Sequence, residues 1–496
     1  MKNLIYTIAL TIILVGCDDR LAELNTDKKN PANVSAESLF TRGIREAVDN
    51  IVSMSVNDNP FRLYSQQWAQ TTYPEESQYA MGQREIPLGI WSNQYRDVLI
   101  DLQQSKVLIE EELASGQSGN TDGNLQNRMA ILDVLISYTY VTMVDIFGDI
   151  PYSEALDPDN SLTPAYDDAA SIYNSIEAIL STASSTLTSN SAEGSFGSSD
   201  LVYGGSASGW AKFANSIKLR MAMKLADANS STSVSWANSA MAAGVITSNA
   251  DNFSMVYQST SPNSSPMHED LVLSGRQDFV SANTLVDAMN SVNDPRLMVY
   301  FRDNLGGSFD GGIYGTSNSY PGFSQVGEVF HQPETPGVLF NAAESHFLMA
   351  EMVERGGYSV TGTVDTHYNA GITASFEQWE GVYNSYSGAA TTVTLDLATY
   401  MAQPSVAYAT ATGDWKEKIG KQLWLALYNQ GLEAWSTWRR LDFPGFTPPP
   451  GMTMADIPVR MTYPLREATL NGSNRDAAAS AIGGDLISTK VFWDKN

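Results

Sequence analysis

The chain has 496 residues, with 29 lysines and arginines against 55 aspartates and glutamates, for a formal net charge of −26. Nucleic acid or an anionic lipid surface would need a basic footprint, so this acidic balance excludes both as partners. Hydrophobic residues at 43% and aromatics at 10% supply ample material for a core, and the single cysteine permits no internal disulfide.

That cysteine is the first landmark. Lys2 precedes an almost unbroken apolar run from Leu4 to Val15, and Leu14-Val15-Gly16-Cys17 closes it with small residues. The pattern predicts a lipoprotein signal peptide over residues 1–16, cleaved before Cys17, whose sulfur takes the lipid. The run is too short for a spanning helix, which needs roughly 20 residues. Asp18-Asp19 follows it in place of a basic stop-transfer flank. Residues 17–34 then read as the lipidated cysteine and a polar tether, with Lys28, Lys29, Asn30 and Pro31.

The body, 35–496, reads as helices almost throughout. Ser35 is a plausible cap for a first helix, with Leu39, Phe40, Ile44, Val48 and Ile51 near helical spacing. A second helix is predicted from Trp91 to Glu112. A third, from Arg128 to Phe147, is apolar nearly all round and must be buried between others. Ala169 to Leu187 follows, then the periodic set Trp210, Phe213, Ala214, Ile217, Met221 and Leu225. Val338 to Glu354 and Trp415, Ile419, Leu423 and Leu427 complete the series. Neighbouring helices joined by short turns suggest stacked hairpins, although no strict repeat is visible in the letters. Helical repeats are placed at 35–228 and 336–440, and a C-terminal segment at 441–496. Residues 188–209 and 229–335 are rich in Ser, Asn, Gly and Pro and read as long loops, the usual carriers of function on a helical scaffold.

Catalytic signatures are missing. The four histidines, His268, His331, His346 and His367, stand apart, and no zinc-protease, nucleophile-elbow or phosphate-loop pattern occurs. No cofactor is expected and the chain reads as a non-enzyme. Two-carboxylate glycoside hydrolysis stays as a remote alternative, since acids distant in sequence can meet in space. Asp157-Pro158-Asp159-Asn160 lacks the glycine and distal glutamate of a calcium loop and reads as a solvated turn.

Val144-Asp145-Ile146-Phe147-Gly148-Asp149-Ile150-Pro151-Tyr152-Ser153-Glu154-Ala155-Leu156 resembles the hallmark segment of the SusD/RagB nutrient-binding lipoproteins. Four further stretches agree in order: 210–222; Asn293-Asp294-Pro295-Arg296-Leu297; 421–440, which ends Trp435-Ser436-Thr437-Trp438-Arg439-Arg440; and Pro458 to Pro464 with Glu467 and Asn471. The resemblance implies a mostly α protein, a tetratricopeptide-like superhelix of helical hairpins with a loop-rich ligand-binding part packed on it. It also implies a place on the extracellular face of the outer membrane, as the lid of a SusC-like TonB-dependent transporter, with glycan or, alternatively, peptide as ligand. Asp18-Asp19 looks like a surface-export signal of the phylum where that family lives. The motif residues Asp145, Asp149, Asp294, Arg296, Arg439 and Arg440 read as structural, fixing turns and helix ends, and Trp424, Trp435 and Trp438 as core.

Ligand contacts are sought where aromatics interleave with loop polars, because a sugar lays its C–H face on a ring and needs polar groups around the rim. Two stretches qualify: Asn57 to Tyr79 and Tyr314 to Gln325. From them Trp68, Tyr73, Tyr79, Tyr314, Tyr320 and Phe323 are the candidate stacking rings, with Asp58, Arg62 and Gln325 as rim contacts. Trp68 also falls at helical spacing from Leu63 and Tyr64, a core pattern. Trp379, Tyr383 and Tyr386 form a third candidate cluster.

Overall fold

The computed structural model describes residues 34–386 and 392–495. The predicted leader, Cys17 and the tether up to residue 33 lie outside the described residues. Helix α1 (Ala36–Val52) begins where the Ser35 hydroxyl accepts the Ser38 N–H at 3.2 Å, and it buries Phe40, Ile44, Val48 and Ile51 on one face. Ile86–Ser92, Asn93–Leu99 and Ile100–Ser115 continue one into the next as α2, which widens to a π-helical stretch at its middle. Helix α3 (Asp122–Phe147) is long and apolar enough to cross a membrane, yet most of it is buried inside the body. Its apolar girth is answered by α2 on one side and by α4 (Ala169–Ser189) and α5 (Ala207–Lys224) on the other.

The packing then runs from neighbour to neighbour. Helix α5 packs on α6 (Ser230–Ala243) and α7 (Ala342–Arg355); α7 packs on α8 (Val364–Ser385) and α9 (Trp415–Ala426); α9 packs on α10 (Gly431–Leu441). Sequential helical hairpins packed in this way make the tetratricopeptide-like superhelix.

Two stretches differ from their sequence reading. Residues 230–243, read as loop, are the helix α6, capped by the Asn229 side chain on Thr232 N–H. Its buried contacts are Ser233, Ala237 and Ala240, small residues that let it sit close to Ala222, Met223 and Met349, so no large apolar period announced it. Val338 to Phe340 are strand, not helix; α7 starts only at Ala342, after the Asn341 side chain accepts Glu344 N–H at 2.9 Å.

Short antiparallel ribbons tie the loops down: β1 (Trp68–Gln70) pairs with β5 (Phe279–Ser281), β2 (Ile150–Pro151) with β3 (Tyr166–Asp167), and β4 (Phe253–Met255) with β6 (Gly337–Phe340). Buried ion pairs tie the helices together. Lys224 of α5 reaches Asp145 of α3 at 2.8 Å and Glu433 of α10 at 2.9 Å, while Arg220 grips Glu344 of α7 with two bonds of 2.6 Å. Arg439 donates to the Asp145 carbonyl at 2.7 Å, Arg440 pairs with Glu351, Asp149 accepts the Ala169 N–H at the start of α4, and Asp294 and Arg296 pair at 2.6 Å with no exposed surface. Asp145, Asp294, Arg296, Arg439 and Arg440 are buried, and each of the six hallmark polar residues is engaged by a partner within the body. Trp424, Trp435 and Trp438 are buried core.

Candidate functional site

The two aromatic stretches singled out in the sequence lie side by side. Trp68 faces Ser281, Ala69 faces Val280 and Gln70 faces Phe279 across the β1–β5 ladder. The 314–325 stretch closes on both: Asn318 donates from its backbone and from its side chain to the Gln70 carbonyl, Gln78 donates to the Gly315 carbonyl at 2.8 Å, and Gln325 bridges to Val280.

Proximity does not make every ring a contact. Trp68 is 1% exposed, its indole N–H donating to the Tyr428 hydroxyl at 3.0 Å and its ring packed on Phe279. Tyr79 and Tyr314 are buried against each other and Tyr64, and burial pushes the Tyr79 hydroxyl up to about 12. Rings without an open face cannot stack on a sugar, so these three are the foundation beneath the loops and not the platform. Arg62 is likewise internal. Its guanidinium donates to the carbonyls of Val52 and Ser53, closing the C-terminus of α1, and to Asn429 Oδ1, while its carbon lies 4.9 Å over the Trp68 ring. Burial pulls its pKa down to about 10. Asp58 is half-buried, accepts from Asn93 at 3.2 Å, and has its pKa raised by that burial.

Tyr73 is different: the residue is 67% exposed. The turn that presents it is braced by Gln70. The Gln70 side-chain nitrogen donates to the Tyr73 carbonyl at 2.8 Å and to Glu76 at 2.6 Å, and its oxygen accepts both the N–H and the hydroxyl of Ser77. This clamp holds Tyr73 at φ +51°, a conformation a tyrosine adopts at a cost. The buried Glu76 also holds Arg84 at 2.9 Å, and the Arg84 guanidinium sits 5.7 Å from the centre of the Tyr73 ring. One side of the ring is thereby steadied by a cation.

Tyr73 also lines a cleft of about 250 Å³, together with Asn57, Thr72, Arg84, Asp270, Arg276 and Asp278 and the apolar Val56 and Phe279. Arg276 pairs with Asp278 at 2.6 Å. Asp270 has its pKa raised, chiefly by burial. An exposed ring beside donors and acceptors of both charges is the arrangement that a ring-shaped, hydroxyl-rich ligand requires. Of these cleft residues the sequence reading named Tyr73 as a candidate and not Arg84, Asp270, Arg276 or Asp278, which stand in unremarkable loop letters and come together where β1 pairs with β5.

Tyr320, Phe323 and Gln325 are half-buried, outside this cleft lining. Trp379 is core, against Tyr300, Phe330 and Tyr428, while Tyr383 and Tyr386 are half-exposed. The Asp157 turn is closed on itself by Asn160, whose side chain donates to both Asp157 oxygens. Among the described residues no group of three or more His, Cys, Asp or Glu is placed to hold a metal ion.

Comparison with known proteins places the fold. The family model SusD-like_2, described as "Starch-binding associating with outer membrane", matches residues 28–464. Among solved structures, a chitin-binding SusD homologue from Flavobacterium johnsoniae is 25% identical, with 92% of this chain and 99% of that one covered and a TM-score of 0.75. A chitin-binding protein at 24% identity covers 93% of this chain and 100% of its own, with a TM-score of 0.77. A SusD homologue from Parabacteroides distasonis, at 21% identity over 93% and 98%, also has a TM-score of 0.77. No curated protein matches. With the family model spanning most of the sequence and the same helical superhelix in its structural neighbours, the chain belongs to the SusD-like family.

Proposed function

We propose that this protein binds an oligosaccharide or polysaccharide in the Tyr73 cleft, without turnover, and delivers it to a SusC-like TonB-dependent transporter from the extracellular face of the outer membrane, where lipid on Cys17 holds it. The observation that carries the reading is the exposed Tyr73 in the lining of a cleft that also holds Asn57, Thr72, Arg84, Asp270, Arg276 and Asp278. A sugar ring offers one apolar face to the tyrosine and its hydroxyls to the polar lining. The family's description as starch-binding and the chitin-binding titles of two neighbours support a glycan.

Peptide is the second reading. A peptide of the strand-adding type needs a free strand edge. Here Asn318 occupies the Gln70 carbonyl on the outer side of β1, which favours the glycan. Hydrolysis needs one carboxyl held protonated and a second in reach. In the cleft Asp278 is held in an ion pair with Arg276 at 2.6 Å.

Native affinity gels containing starch, chitin derivatives and other polysaccharides test the reading. Retardation by at least one glycan, lost in Tyr73→Ala and without release of shorter products on long incubation, is the expected result. Retardation by none of them, with a peptide mixture bound instead, would transfer the cleft to the second reading.

A further inference from the structure

The second and third aromatic clusters of the sequence are joined in space by a single ion pair. Arg302 Nε meets Glu328 at 2.9 Å, both half in water. The Arg302 guanidinium also neighbours the Tyr320 hydroxyl, and Glu328 lies near Tyr386, whose ring meets that of Tyr383 edge to face at 5.3 Å. Three partly exposed tyrosines thus surround an exposed pair of charges. Core tyrosines of this protein, such as Tyr300 and Tyr428, are instead closed over by other rings.

The position of this surface relative to the Tyr73 cleft follows from the backbone. Gln70 pairs with Phe279 on β5; Val280 next to it bridges Gln325; Val326 bridges Phe301; and Arg302 N–H donates to the Gln325 carbonyl at 2.9 Å. Four chain segments therefore lie abreast, with the turn that carries Tyr73 following one outer segment and Arg302 on the other. Three strand spacings separate them, about 15 Å. A disaccharide in the cleft is too short to reach across, whereas a longer oligosaccharide can.

We propose that Tyr320, Tyr383 and Tyr386, with Arg302 and Glu328 as hydroxyl partners, form a second glycan subsite, so that the protein engages a polysaccharide at two places on one ribbon. The inference rests on the glycan reading of the cleft. Two linked contacts make the second binding event intramolecular, so affinity rises with chain length once the span is reached.

Calorimetry with the full chain and two-unit and six-unit oligosaccharides of the starch and chitin series tests this. In the wild type the six-unit member of the bound series should bind at least tenfold more tightly than the two-unit member. The double variant Tyr383→Ala/Tyr386→Ala should lose that advantage while keeping its affinity for the two-unit sugar, and Tyr73→Ala should weaken both. Arg302→Gln, which leaves all three rings in place, should reduce six-unit binding alone, and melting temperatures identify any variant that is misfolded. Equal losses for both lengths in the tyrosine double variant, or an unchanged six-unit affinity in both it and Arg302→Gln, would overturn the second subsite and leave the cleft standing. Failure of the wild type to bind any of these sugars would overturn the glycan reading and this subsite with it.

Discussion

Gln70 and Glu76 share a 2.6 Å hydrogen bond in a place that water hardly reaches, and the chain between them is the turn that carries Tyr73. The only strongly exposed ring of the candidate set thus stands on a buried polar clamp. Replacing Gln70 by Ala strands a Glu76 carboxylate oxygen and the Ser77 N–H at once, and each unmade buried bond costs about 1–3 kcal/mol. Gln70→Ala should lower stability in urea unfolding and weaken glycan binding by more than the unfolded fraction explains. Wild-type affinity in that variant would show that Tyr73 keeps its pose without the clamp.

Trp68 and Tyr73 are five residues apart and should respond oppositely. Trp68→Ala removes a core indole together with its bond to Tyr428, a loss of about 3–5 kcal/mol of stability. The folded fraction should bind as before. Tyr73→Ala should leave the melting temperature nearly unchanged and cost about 1–3 kcal/mol of binding. Thermal unfolding and calorimetry on the two variants together make the comparison.

Asp58 supplies a pH prediction. Burial raises its folded pKa above the unfolded value, so the folded state takes up this proton first as pH falls. The carboxylate therefore detracts from stability above the raised folded pKa, and the penalty disappears as pH drops through the window between that value and the unfolded one. Asp58→Asn should accordingly stabilise the protein at pH 7, with a gain that shrinks toward zero in denaturant titrations carried to pH 4. A gain that does not change with pH would assign the effect to packing.

On the proposed function, Cys17→Ala should release the protein from membranes in cells that lack a SusC-like transporter, because acylation would supply the apolar attachment. Fractionation with the membrane in that background would refute the anchor.

The scaffold was more legible than the site, and for physical reasons. A helix such as α1 announces itself because its buried face recurs in Phe40, Ile44, Val48 and Ile51, behind a serine whose hydroxyl caps the first turn. Helix α6 stayed hidden because close packing selected Ala and Ser at its contacts, letters that also fill loops. At the site, Trp68, Tyr79 and Tyr314 stand among loop polars in the sequence as Tyr73 does; packing against residues distant in sequence, Phe279 and Tyr428 for Trp68 and one another for Tyr79 and Tyr314, decides which rings are buried. Arg84 and Arg276 become partners of one cleft through the same pairing, nearly two hundred positions apart by their numbering.

The stretch that carries the cleft rests on the far end of the chain. Trp424 donates to the Ser65 carbonyl, Gln67 to the Leu427 carbonyl, Arg62 to Asn429 and Trp68 to Tyr428, contacts some 360 residues apart in sequence. Closing so long a loop is slow even where its entropic cost is modest. During synthesis, which presents residue 62 long before residue 429, the cleft must therefore be among the last parts to take shape. A chain cut anywhere between them in a surface loop would keep its site only as long as the two fragments held together.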